Sequence, residues 1–193
     1  MTTLNLTGEL ERLIRDITAR IPQLQHVMPD KLLVCVSTGR TTRGGSLAKI
    51  HPLRFAGGER SVKARRGRRS VLCTMPTIKH QGEEMLYVIY FLVPRFLELP
   101  QREKLITIFH ELYHISPACD GDIRRFPGRN YAHGSSTKSY NLLMGKLVDA
   151  YLELIPEPSA LDFLQGDLAS LRTRHKAIVG RRLQAPRISI TPA

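Results

Sequence analysis

The chain has no tryptophan and only three cysteines, Cys35, Cys73 and Cys119, an odd count with no CxxC spacing. Neither a disulfide framework nor a cysteine zinc cluster is written in such a pattern, and a reducing compartment suits it. Long apolar runs are missing too: no stretch approaches the ~20 residues of a membrane helix, and no membrane partner is expected. The first eleven residues carry acids where a signal peptide needs a basic start and an apolar run, so the expected location is cytoplasmic. Acids are scarce overall, 17 against 29 Lys and Arg in 193 residues, for a net charge of +12. An excess of that size favours an anionic partner.

What is present fits one folded domain. Hydrophobic residues make up 42% of the chain and charged residues 24%, which argues against wholesale disorder. The positive charge is concentrated. Residues 40–69 hold ten basic side chains and one acid, Glu59, and residues 172–193 hold six basic side chains and none. We expect a domain over residues 1–178, with a basic loop at 39–69, followed by a basic, flexible tail at 179–193.

Leu10, Leu13, Ile14, Ile17 and Ile21 recur at helical spacing behind Thr7, which can cap the helix, and Pro22 ends it. Residues 31–37 read as a buried strand. Residues 70–77 and 85–92 read as two more, joined as a hairpin through His80, Gln81, Gly82 and Glu83, with Pro76 pushing the first towards a sheet edge. Helical patterns follow over residues 100–116, 139–155 and 159–176. Between the first two of these helices lies a long connection rich in Gly, Asp and Arg, of a kind that tends to be functional. The order of helix, strands, then helices predicts an α+β fold.

The chemistry sits in the helix of residues 100–116. His110-Glu111-Leu112-Tyr113-His114 is an HExxH pattern. Histidines at i and i+4 lie one turn apart on one helix face, so two imidazoles can converge on one Zn²⁺. Glu111 projects about 100° away and can take a proton from metal-activated water without being a ligand. Leu105, Ile108, Phe109, Leu112 and Ile115 form the stripe that anchors the same helix to a core. With 7 His and 10 Glu in the chain, chance supplies about 0.013 such matches, so coincidence is a poor rival.

A catalytic zinc site needs a third protein ligand. His133 is the first choice, because imidazole suits zinc and Gly134 lets the backbone turn to aim it. Asp120 and Asp122 are alternatives whose simpler role is turn chemistry, and Asp149 and Glu153 lie on the next helix. Tyr131, Tyr140, Arg124, Arg125 and Arg129 are candidate oxyanion donors. Tyr113 reads as packing, and His26, His51, His80 and His175 as ordinary histidines.

The HExxH segment, followed by Asp120-Gly121-Asp122-Ile123-Arg124-Arg125-Phe126 and by His133-Gly134, resembles the phage metallopeptidase family, a zincin-like group of phages and bacteria. The resemblance spans about residues 31–154. It implies a zincin-like fold in which a small antiparallel sheet and an N-terminal helix support the HExxH helix, with C-terminal helices beyond. It also implies zinc held by His110, His114 and His133, and Glu111 as catalytic base in a metallopeptidase acting on proteins or peptides. A looser similarity is to SprT-like zinc proteases, which act on DNA-bound proteins, although the four-cysteine ribbon of many of those is missing. A second expectation is a basic nucleic-acid-binding protein with a structural or inactive zinc site. In that case Arg65, Arg66, Arg68 and Arg69 would lie along the phosphates of DNA or RNA, without aromatic side chains for base stacking.

Overall fold

A computed structural model describes residues 1–38, 45–127 and 136–193, the side chain of Thr137 excepted. The fold is α+β, with helices packed on small sheets. Strand β1 (Thr3–Asn5) runs directly into helix α1 (Leu6–Arg20). Here the structure corrects the expected cap: Asn5, not Thr7, caps α1, its side-chain oxygen accepting from the Gly8 amide at 3.1 Å, while Thr7 is buried inside the helix. Leu10, Leu13, Ile14 and Ile17 are buried along one face, as the spacing predicts.

Strands β2 (Leu32–Thr38), β3 (Ala48–Pro52), β4 (Ser61–Arg66), β5 (Arg69–Thr74), β6 (Lys79–His80), β7 (Glu83–Glu84) and β8 (Tyr87–Val93) follow. The main sheet has the order β2-β8-β3, with β2 parallel and β3 antiparallel to β8. The expectation of an antiparallel sheet is therefore corrected to a mixed one. Val34, Val36, Ile89 and Phe91 face the large core under α1, whereas Leu33, Cys35, Val88 and Tyr90 face a smaller cluster with Leu53 and Met85. Because both faces are covered, β2 and β8 read as continuous apolar runs rather than alternating ones.

The expected hairpin between residues 70–77 and 85–92 does not form. Its turn exists, with Gln81 and Gly82 both at positive φ, but it closes only the two-residue ladder of β6 and β7. Strand β5 pairs instead with β4, through a tight turn at Gly67-Arg68, and ends at Thr74 before Pro76 is reached. Within the expected basic loop, residues 48–52 form β3 and residues 61–69 belong to this hairpin, while residues 39–44 lie outside the described residues.

The helices are α2 (Gln101–Tyr113), α3 (Thr137–Leu154) and α4 (Leu168–Arg174). The expected single helix over residues 159–176 is divided into a 3₁₀ segment, Pro158–Leu164, and α4. Gly166 at φ +74° breaks it, and Asp167 recaps it on the Ser170 amide at 2.8 Å. Lys104 of α2 is fully buried and donates to the carbonyls of Leu164 and Gly166, tying this break to α2.

Residues 179–193, expected to leave the domain as a tail, return to it. Strand β9 (Ala177–Val179) pairs parallel with β1, and β10 (Ser189–Pro192) pairs antiparallel with β5. Between them the Arg181 carbonyl accepts from the Val36 amide at 2.8 Å, and its guanidinium pairs with Glu11.

Candidate active site

Helix α2 meets two demands at once. Leu105, Ile108, Phe109, Leu112 and Ile115 are buried, and the adjoining flank presents His110 and His114. His114 is the C-terminal cap and keeps helical dihedrals (φ −70°, ψ −17°), so the i, i+4 relation survives at the helix end. The two rings stand 4.8 Å apart between centroids at an interplanar angle of 74°. One cation can touch both, and the donor set of two imidazoles beside a carboxylate fits zinc.

The first turn of α3 packs against this pair. Tyr140 stacks on His114 at 5.4 Å and meets His110 edge-on at 4.7 Å, and its hydroxyl donates to the His110 carbonyl at 3.2 Å. The side-chain oxygen of Asn141 lies 3.1 Å from His110 Nδ1. An amide oxygen only accepts, so with this amide orientation Nδ1 carries the proton and Nε2 holds the lone pair. Nothing in the sequence spacing singles out Asn141, which arrives from 31 residues away along the chain.

Glu111 is buried, at 7% exposure, against the outer strand β3, whose Ile50 amide donates to its carboxylate. Burial pushes its pKa up to about 7, the Ile50 bond opposing the shift.

The segment after the motif is folded by its aspartates. Ser116 Oγ donates to Asp120 Oδ1 at 2.6 Å, and the same oxygen accepts from the Asp122 amide at 3.2 Å. The Asp122 carboxylate takes two bonds from Arg125, at 2.9 and 3.2 Å. Asp149 is paired with Arg102 at 2.9 Å, and Glu153 is exposed. All four alternative ligands are thus engaged away from the histidine pair or face solvent. His133, the first choice, lies outside the described residues, and among the described residues no three His, Cys, Asp or Glu side chains are grouped to hold an ion.

No family model, curated protein or solved structure matches the chain.

Of the expected oxyanion donors, Tyr131 and Arg129 lie outside the described residues. Arg124 serves the end of α2: its Nε donates to the Tyr113 carbonyl at 2.9 Å and its guanidinium lies 4.2 Å over the Tyr113 ring. Arg124 also approaches His26 at 3.4 Å, where burial first and the neighbouring cation second lower the imidazole pKa. Tyr113 packs as expected, stacked on Phe126 and edge-on to Tyr140. Among the described residues Tyr140 is the candidate donor brought against both histidines. Among the described residues no helix is long and apolar enough to cross a membrane.

Proposed function

We propose that the chain is a zinc-dependent metallopeptidase of the zincin type that hydrolyses peptide bonds in protein or peptide substrates, as its resemblance to the phage metallopeptidase family implies. The observation that carries this reading is the convergence of His110 and His114 on one helix flank with Glu111 buried beside them. A purely structural ion site has no need of a buried carboxyl between its histidines. The three cysteines are all free, which suits work in a reducing cytoplasm.

In this reading His110, His114 and His133 hold the ion. When bound, zinc supplies Lewis acidity for the scissile carbonyl and for water. The chain's own residues do the rest. Asn141 fixes the His110 ring and its tautomer. Tyr140 braces both rings from α3. Glu111 accepts the proton of the attacking water and returns it to the leaving amine. Strand β3 is an outer strand of the main sheet, so an extended substrate can align along it beside Glu111.

Metal analysis tests this reading. Protein purified without chelator is expected to hold close to one zinc per chain, with His110→Ala and His114→Ala each losing most of it. In a zinc competition titration, His133→Ala should weaken binding strongly while Asp122→Ala retains it. Equal, negligible zinc in the wild type and the His110 and His114 variants contradicts the site, and the reverse ranking of His133 and Asp122 moves the third ligand to the aspartate.

A further inference from the structure

The β4–β5 hairpin carries Lys63, Arg65, Arg66, Arg68 and Arg69 within seven residues, and no acid occurs anywhere from residue 60 to residue 82. Every residue from 63 to 70 is exposed. Arg15, Arg20, Arg54, Arg102, Arg125 and Arg181 elsewhere in the fold each meet a carboxylate. Among the described residues no acid lies within ion-pair distance of the five hairpin cations. Arg66 and Arg69 even stand directly opposite each other in the ladder, an arrangement that costs stability when nothing neutralises it. This excess of charge calls for an anion from outside the chain.

The register says what shape of anion. Side chains alternate along a strand and cross-strand partners share a face, so Lys63 and Arg65 project to one side of the ribbon and Arg66 and Arg69 to the other, with Arg68 in the turn. The ladder with β10 stops at Val71, with one further bond from the Ala193 amide to the Ser70 carbonyl, so the tip from Arg65 to Arg69 is two-stranded. From Arg65 to the turn at Gly67 the two-stranded tip extends about 7 Å, within the ~8.5 Å depth of the B-DNA major groove, whose ~12 Å width admits a two-stranded ribbon. A ribbon inside a groove has phosphates on both flanks, and cations on both faces match them. A flat anionic surface would meet only one face. No aromatic residue lies in the hairpin or in β10, so stacking on unpaired bases has no platform, and the narrow major groove of duplex RNA does not admit the ribbon.

We propose that this hairpin binds duplex DNA through its phosphates, without sequence preference. The proposal does not depend on the peptidase reading, and its test uses the full chain with metal removed by chelator, so the two can fail separately. Fluorescence anisotropy with a 20-bp duplex of mixed sequence is read between 50 and 200 mM NaCl. Wild type is expected to bind the duplex at least tenfold more tightly than the matched single strand or duplex RNA. Replacing Arg65, Arg66, Arg68 and Arg69 together by Ser should reduce the slope of log K against log salt by about 3.6, removing a roughly hundredfold salt dependence over that range, while replacing all four by Lys retains most of it. Should the fourfold Ser variant fail to fold by circular dichroism, Arg68→Ser, in the turn, should still lower the slope by about 0.9. An unchanged slope overturns the proposal, as does capture of phosphatidylserine vesicles or polyglutamate as tightly as the duplex and with the same dependence on the four arginines.

Discussion

At the scale of single residues, the site depends on side chains that hold other side chains. Asn141 is exposed and bears no packing load, yet its oxygen sets which nitrogen of His110 offers a lone pair. Asn141→Ala is therefore expected to leave the melting temperature nearly unchanged while weakening zinc affinity about 10–100-fold, the usual consequence of losing a partner that orients a ligand. A chelator competition titration reads this directly, and unchanged affinity would remove Asn141 from the site. The two histidines and Glu111 could be read in the sequence because their relation is local, fixed by 3.6 residues per turn. Asn141 could not, because its relation to His110 is created by the packing of α3 on α2 and leaves no trace in spacing.

Elements were legible where one physical signal dominated. The apolar periodicity of α1 and α2 places their buried faces as expected, and Pro22 and Pro100 mark their ends. Pairing was harder to read. The Gln81-Gly82 turn is a genuine hairpin signal, but the strands it seemed to join belong to different sheets, because β8 is captured by β2 and β3. The β4–β5 hairpin was hidden by its own charge, since its exposed arginines mask the period of two by which strands are recognised. Residues 159–176 carry a helical apolar pattern that Gly166 interrupts.

Gly121 tests how tightly the segment after the motif is built. It sits at φ +91°, its amide donates to the Tyr87 hydroxyl at 2.9 Å, and its carbonyl accepts from the Arg54 amide at 3.0 Å. A Cβ there would lie 2.5 Å from Arg54 Cγ. Gly121→Ala combines backbone strain with overpacking and should destabilise the protein by about 2–4 kcal/mol in a denaturant titration. A loss below about 0.5 kcal/mol would show that this segment yields easily.

For the molecule as a whole, the fold places the His110 and His114 flank on a helix whose other face is locked into the main core, beside the outer strand β3. The C-terminal residues complete the structure by adding β9 and β10 to strands from the first half of the chain. The central claim is that Glu111 performs the proton transfers of peptide hydrolysis. Turnover of a disordered protein substrate by wild type and by Glu111→Gln, each checked for equal zinc content and equal melting temperature, tests it most directly. Gln keeps the shape of Glu but is no base, so the variant should lose about 10²–10⁴-fold in rate, roughly 3–5 kcal/mol of transition-state stabilisation, while remaining folded and metal-loaded. Cleavage by the loaded variant at the wild-type rate would contradict the account, as would a zinc-loaded wild type that cleaves no protein substrate.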